Sequence, residues 1–189
     1  MDIESWGQKY RIQIDTPRCL LRRFVAEDVE WLTDLIADPE VEICIGDNVR
    51  SRGKARKGAE AIVYLDLSGC QFGYWAIQDK ETGVMHGWTL LGKLRPCWGL
   101  SDERGLSYVL RRASWGQGLA TEAAGHLVRR AFEDQWLERI MAVVAAGNTA
   151  SKRVLQKIGM RPVAPPGSAR PEGARVFPDR CASICEESK

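Results

Sequence analysis

The stretch Ser114-Trp115-Gly116-Gln117-Gly118-Leu119-Ala120-Thr121-Glu122 constrains the fold more tightly than any other. Ahead of it, Leu106, Tyr108, Val109 and Leu110 read as a short buried strand. Behind it, Ala120, Ala124, Leu127 and Ala131 recur at the spacing of an amphipathic helix. The pattern predicts a strand, a glycine turn and a helix start. Gly116 and Gly118 carry no Cβ, so the backbone there can bend tightly and approach a ligand closely. The first N–H groups of a helix lack intrahelical partners and lie at the positive end of its dipole. Such a segment is an anion cradle, best suited to phosphate.

Two glycines after a strand do not name the ligand by themselves. A dinucleotide fold asks for Gly-x-Gly-x-x-Gly, and the third position after Gly118 is Thr121. Residues 147–152 superficially suggest a nucleotide-triphosphate loop but lack the second glycine before the lysine.

The rest of the chain supplies a frame for this element. Tyr10 to Ile14 alternates as a half-buried strand does, Thr16-Pro17 turns, and Cys19 to Phe24 resumes extended structure. Val25, Val29, Leu32 and Ile36 mark one helical face, ending near Asp38-Pro39 where proline stops a helix. Val41 to Ile45 is a short apolar piece. Arg50, Arg52, Lys54, Arg56 and Lys57 form a basic run, read as a solvated loop leading into a helix over residues 59–67. Docking of an acidic partner such as RNA through this run is the competing reading.

Gly73 to Ile77 and Val84 to Leu94 read as strands joined by the hairpin-like Asp79-Lys80-Glu81-Thr82-Gly83, the second interrupted by Gly87. Residues 96–102 are a loop. Arg139 to Ala145 is an apolar run suited to a strand covered on both faces. Residues 106–145 therefore make a right-handed, parallel strand–helix–strand crossover. Asn148 caps a last helix with Ala150, Val154, Leu155 and Ile158 buried and Gly159 as its stop. Residues 165–173 are a loop, Ala174 to Phe177 a candidate last strand, and the tail from about 179 is polar and frayed.

Residues 115–120 resemble the acetyl-CoA signature of the GNAT N-acetyltransferases, Q/R-x-x-G-x-G/A, with Trp115 where Gln or Arg is usual. That substitution, together with Ala120-Thr121-Glu122-Ala123, resembles the RimJ/RimL-like branch of ribosomal-protein acetyltransferases. The segment from Asn148 to Met160 and the opening Thr16-Pro17-Arg18-Cys19-Leu20-Leu21-Arg22 are similar to the same branch.

The resemblance implies one acetyltransferase domain over 1–189, of α+β class. Its core would be a central twisted mixed sheet of about six or seven strands, flanked by helices, with a parallel β-α-β coenzyme-binding unit. It also implies that acetyl-CoA is held by Leu110, Arg111, Arg112, Trp115, Gly116, Gln117, Gly118, Leu119, Ala120 and Thr121, with Asn148, Ser151 and Lys152 on the second segment.

Acetyl transfer needs an amine that loses a proton and a leaving thiolate that gains one. A hydroxyl near the sulfur can serve as that acid, and Ser151 stands where the branch has its serine. The alternative is that Ser151 only serves the first turn of its helix. The strand glutamate of the family is Gly105 here, so Glu103, two residues earlier, is the candidate base, directly or through water, the alternative being an amine that arrives already neutral.

Trp75 and Trp88 are candidates for walls around an acceptor, or for core. His126 is read as solvent-facing. Cys181 and Cys185 lack a second ligand pair at zinc-site spacing, so no metal is expected.

With 27 Lys+Arg against 25 Asp+Glu, the chain lacks the basic excess of a nucleic-acid binder. It has no apolar run of the roughly 20 residues a membrane span needs and no signal pattern at its start. Six cysteines without such a signal read as reduced thiols in a cytoplasmic protein. The expected acceptor is a small-molecule amine or a protein N-terminus, and a homodimer is compatible with the reading. The rival is a coenzyme-A-binding module without catalysis, used in sensing or assembly.

Overall fold

Among the described residues of the first half of the chain, short strands and two amphipathic helices stand out. The computed structural model describes residues 13–41, 51–65, 72–93, 104–134, 137–145, 147–163 and 180–186. Their contacts group into two units, Met1–Leu90 with Tyr108–Ala123, and Leu91–Ser107 with Ala124–Lys189.

In the first unit, β1 (Ile14–Asp15), β2 (Cys19–Arg22) and β3 (Gly73–Asp79) run antiparallel, with Ile14 opposite Leu21 and Leu21 opposite Ile77. A hairpin joins β3 to β4 (Met85–Lys93). The Asp79 carboxylate accepts from the Glu81 and Thr82 amides and the Thr82 hydroxyl, while Gly83 takes a φ of +71°. This is the turn its composition predicts.

β4 is not interrupted at Gly87. A Cβ there would lie 2.0 Å from the Val109 carbonyl oxygen, so the glycine lets β4 meet β5 (Arg104–Leu110) at close range.

Helices α1 (Val29–Ala37) and α2 (Arg52–Leu65) complete this unit's core. Leu32, Leu35 and Ile36 pack with Ala55, Ala59, Ile62, Val63, Ala76 and Trp88. Each large apolar side chain so buried contributes about 1.5–3 kcal/mol. Val25 precedes α1 and is exposed, so it does not belong to the buried face.

The basic run is helical rather than a loop, a correction to the sequence reading. Arg52 pairs with Asp34 and Glu30, and Arg56 with Glu30 and Glu60. Carboxylates on α1 thus answer two cations that looked unpaired along the chain. Arg50, Asp66 and Leu67 lie outside the described residues, as do residues 10–12, 42–45, 96–102, 165–173 and 174–177.

In the second unit, β5 pairs in parallel with β6 (Arg139–Ala145) at Gly105 and Met141. β6 pairs antiparallel with β8 (Arg180–Glu186), which pairs antiparallel with β7 (Arg161–Val163). Residues 180–186 of the tail expected to fray are therefore a strand, all seven registered against β6. Backbone pairing with a distant strand orders it, and no turn signal or alternation in Arg180-Cys181-Ala182-Ser183-Ile184-Cys185-Glu186 advertises this.

The crossing helix α3 (Leu119–Glu133) runs through both units. Its buried residues are Leu119, Ala123, Ala124, Leu127, Val128 and Ala131, and Ala120 is half-buried. Helix α4 (Thr149–Lys157) buries Leu155, while Ala150 is exposed.

The class is α+β, a mixed sheet flanked by helices, as expected, with β5 and β6 its parallel pair among the described residues. Among the described residues no helix is long and apolar enough to cross a membrane.

Candidate active site

The first unit holds the glycine turn. β5 ends at Leu110, a short 3-10 turn covers Arg112–Ser114, and α3 begins at Leu119. Gly116 and Gly118 have φ of +75° and +79°, the left-handed region that residues with a Cβ avoid. No atom lies within 4 Å of a Cβ built on Gly116, so that glycine is required by the bend and not by crowding. Gly118 cannot cap α3 with a side chain. The first intrahelical bond seen is the Glu122 amide to the Gly118 carbonyl at 3.0 Å, so the amides before it lack an intrahelical acceptor. These features fit a phosphate group.

Each expected cofactor residue has a place. Leu110 and Leu119 are buried and anchor the two ends of the turn. The Trp115 indole donates to the Leu110 carbonyl at 2.7 Å; the residue is 37% exposed, and its ring centroid lies 4.7 Å from the Arg112 guanidinium carbon. That indole bond fixes the turn in the position where the family motif usually has Gln or Arg. Arg112 also pairs with Glu40 at 3.2 Å. Gln117 closes the turn internally, its side chain donating to the Ala113 carbonyl at 2.8 Å. Arg111 turns inward. Its amide donates to the His86 carbonyl and its Nε to the Ser114 hydroxyl at 3.2 Å. Ala120 and Thr121, in the first turn of α3, are half-buried.

Two groups that sequence reasoning missed hold this turn in place. His86 Nδ1 lies 2.8 Å from Ser114 Oγ, with Ser114 1% exposed, and His86 Nε2 lies 3.7 Å from Asp79. Burial pushes the His86 pKa down, and the Arg111 charge adds to that, against the opposing pull of Asp79. The imidazole is therefore neutral near pH 7, hydrogen-bonded to the Ser114 hydroxyl, which also accepts from Arg111 Nε.

The second group is Glu122. It accepts from the Thr16 hydroxyl at 2.6 Å, the Arg18 amide at 2.7 Å and Arg18 Nε at 2.7 Å. Burial alone would raise its pKa, but these hydrogen bonds outweigh burial and hold it below the ordinary value. An acid in the first turn of α3 was visible in the sequence, but its partners lie about a hundred residues away. Cys19, beside this group, has its thiol pushed up to about 11, by burial first and the Glu122 charge second. It is an inert core thiol.

The second unit holds the other segment. Asn148 Oδ1 accepts from the Ser151 amide at 2.9 Å, the N-cap expected of it. Ser151 and Lys152 are half-buried on the first turn of α4. His126 is likewise partly covered rather than fully solvent-facing. Glu103 lies outside the described residues. Trp75 is fully buried and Trp88 nearly so, Trp88 packing edge-on against Tyr74 with ring centroids 5.1 Å apart. Both are core.

A family model described as an acetyltransferase (GNAT) domain matches residues 18–161, and the chain belongs to that family. The uncharacterized N-acetyltransferase p20 of Bacillus licheniformis is 30% identical over 147 residues, covering 77% of this chain and 80% of that protein. Among solved structures, a GNAT-family acetyltransferase from Bacillus anthracis is similar with a TM-score of 0.73 and 22% identity, over 93% of this chain and 98% of the other. RimL, a ribosomal L7/L12 α-N-protein acetyltransferase solved with coenzyme A, has a TM-score of 0.69 and 16% identity, over 93% and 98%. The RimJ/RimL-like branch suggested by the motifs is thus represented among its fold neighbours.

Proposed function

We propose that this chain, acting as one domain, is an acetyl-CoA-dependent N-acetyltransferase that transfers acetyl directly to a primary amine in a ternary complex. The left-handed glycine turn at the start of α3, in a GNAT family member, is the observation that carries this reading. The bound coenzyme supplies an activated thioester carbonyl and a thiol leaving group. The amides from Gly116 to Thr121 hold its diphosphate, as positive-φ glycines and an uncapped helix start favour. Arg112 and Lys152 add positive charge, and Trp115 fixes the turn.

Residues of β5 offer backbone N–H groups to the pantetheine arm and to the developing oxyanion. Asn148 uses Oδ1 for the cap, which leaves its Nδ2–H groups to donate to the arm. Ser151 gives its proton to the departing sulfur, and Glu103, directly or through water, takes the proton of the amine. The acceptor is a protein N-terminal amine or a small amine, and the setting is cytoplasmic.

Thiol release from acetyl-CoA against a panel of small amines and N-terminal peptides tests the function. Turnover with at least one acceptor is expected, with Ser151→Ala lowering kcat by roughly 100-fold. Tight coenzyme A binding without turnover on any acceptor would favour a noncatalytic coenzyme-binding module instead. Family membership and the retained Ser151 speak against that outcome.

A further inference from the structure

Arg18, on the turn between β1 and β2, reaches the glycine turn from far away in the sequence. Its position is fixed from several sides. Thr16 and Cys19 close the turn around it, with the Thr16 amide donating to the Cys19 carbonyl at 2.9 Å and the Cys19 amide to Thr16 Oγ1 at 2.9 Å. Its own carbonyl accepts from the Lys80 amide at 3.0 Å. Its Nε is tied to Glu122 and its Nη1 donates to the Gln117 carbonyl at 3.1 Å.

Nη2 is different. It lies 3.7 Å from where a Cβ on Gly118 would stand, and among the described residues it has no hydrogen-bond acceptor. The side chain is 50% exposed, while that of its partner Glu122 is only 11% exposed.

A guanidinium has five N–H donors in a rigid fork, and here Nε and Nη1 are committed to the protein while Nη2 is left beside Gly118. The first turn of α3 also carries the Glu122 carboxylate, which on its own would repel an anion. Arg18 neutralises it and places a preorganised donor at the lip of the amide cradle.

We propose that Arg18 is a phosphate-contacting residue of this site, its Nη2 taking an oxygen of the coenzyme's diphosphate. The inference rests on the cofactor reading above. It adds to the local turn a charged donor brought in from the N-terminal strand pair.

Calorimetric titration of the full chain with coenzyme A, dephospho-coenzyme A and pantetheine tests it, at low and high salt. Arg18→Ala is expected to weaken coenzyme A and dephospho-coenzyme A alike by roughly tenfold. It should leave pantetheine binding unchanged and make coenzyme binding less salt-dependent. Because that variant also bares Glu122, the double variant Arg18→Ala, Glu122→Gln is measured beside it and beside Glu122→Gln alone.

Affinity that stays low in the double variant supports a direct contact. Affinity restored to that of Glu122→Gln means that Arg18 only masks a carboxylate, and overturns the proposal while the cofactor reading stands. A loss confined to coenzyme A and absent with dephospho-coenzyme A places Arg18 on the 3′-phosphate and also overturns it. Wild-type protein that binds no coenzyme A sinks the cofactor reading and this one with it.

Discussion

His86 and Ser114 join the β3–β4 hairpin to the glycine turn through a buried contact of 2.8 Å between Nδ1 and Oγ. His86 is held neutral by burial and by the Arg111 charge, its folded pKa below the ordinary 6.5. The unfolded chain therefore binds more protons than the folded one as pH falls past about 6.5. Stability present above that pH is lost as pH drops toward the folded pKa. The groups facing the imidazole are Ser114, Asp79, Arg111 and, at longer range, Arg18. We expect the urea midpoint of the wild type to fall between pH 7 and 5, and that of His86→Gln to stay flatter over this interval. Parallel falls would mean another group titrates there.

Glu122 governs a lower window. Its pKa lies below the ordinary 4.5, so its contribution is complete above about pH 4.5 and disappears as pH falls through the folded value. Glu122→Gln should cost about 1–2 kcal/mol at pH 7, and that cost should vanish in acid. Arg18→Ala should cost below about 1 kcal/mol, because its charge is half in solvent. Denaturant curves at pH 7 and 3 measure both.

The glycines separate packing from function. Gly87→Ala should destabilise by more than about 3 kcal/mol or prevent folding, since its Cβ would collide with the Val109 carbonyl oxygen at 2.0 Å. Gly116→Ala meets no neighbour and pays only for its left-handed backbone, about 1–2 kcal/mol. It should fold, with a melting temperature a few degrees lower and weaker coenzyme A binding. A folded, unperturbed Gly87→Ala protein would contradict the close β4–β5 approach.

Asn148 caps α4 by accepting from the Ser151 amide. Asn148→Ala should cost about 1 kcal/mol, and Asn148→Asp should restore most of it. Thermal unfolding of the three proteins decides the point. Equal melting temperatures would show that the cap contributes nothing.

What could be read from the sequence was what local periodicity and turn chemistry determine. The helix after Gly118, the β6 run, the Asp79–Gly83 hairpin and the Asn148 cap were all legible that way. The start of α2 was not, because its cations become favourable only beside Glu30 and Asp34 of another helix. β8 was missed for a related reason. Its order comes from backbone pairing with β6, which no pattern in its own seven residues records. The supports of the glycine turn were equally hidden. His86 stands 28 residues from Ser114, and the Thr16 hydroxyl stands 106 residues from Glu122, so each looks like an isolated polar residue along the chain. The turn itself was plain, because glycine spacing and helix onset are local properties.

The central claim is that backbone amides at the start of α3 hold the coenzyme's diphosphate. Amide ¹H–¹⁵N spectra of the assigned protein, titrated with coenzyme A and separately with pantetheine, test it most directly. The account predicts large, saturable shifts at Gly116, Gln117, Gly118, Leu119, Ala120 and Thr121 with coenzyme A and none at those amides with pantetheine. Saturation with coenzyme A that leaves these six amides unmoved would contradict it.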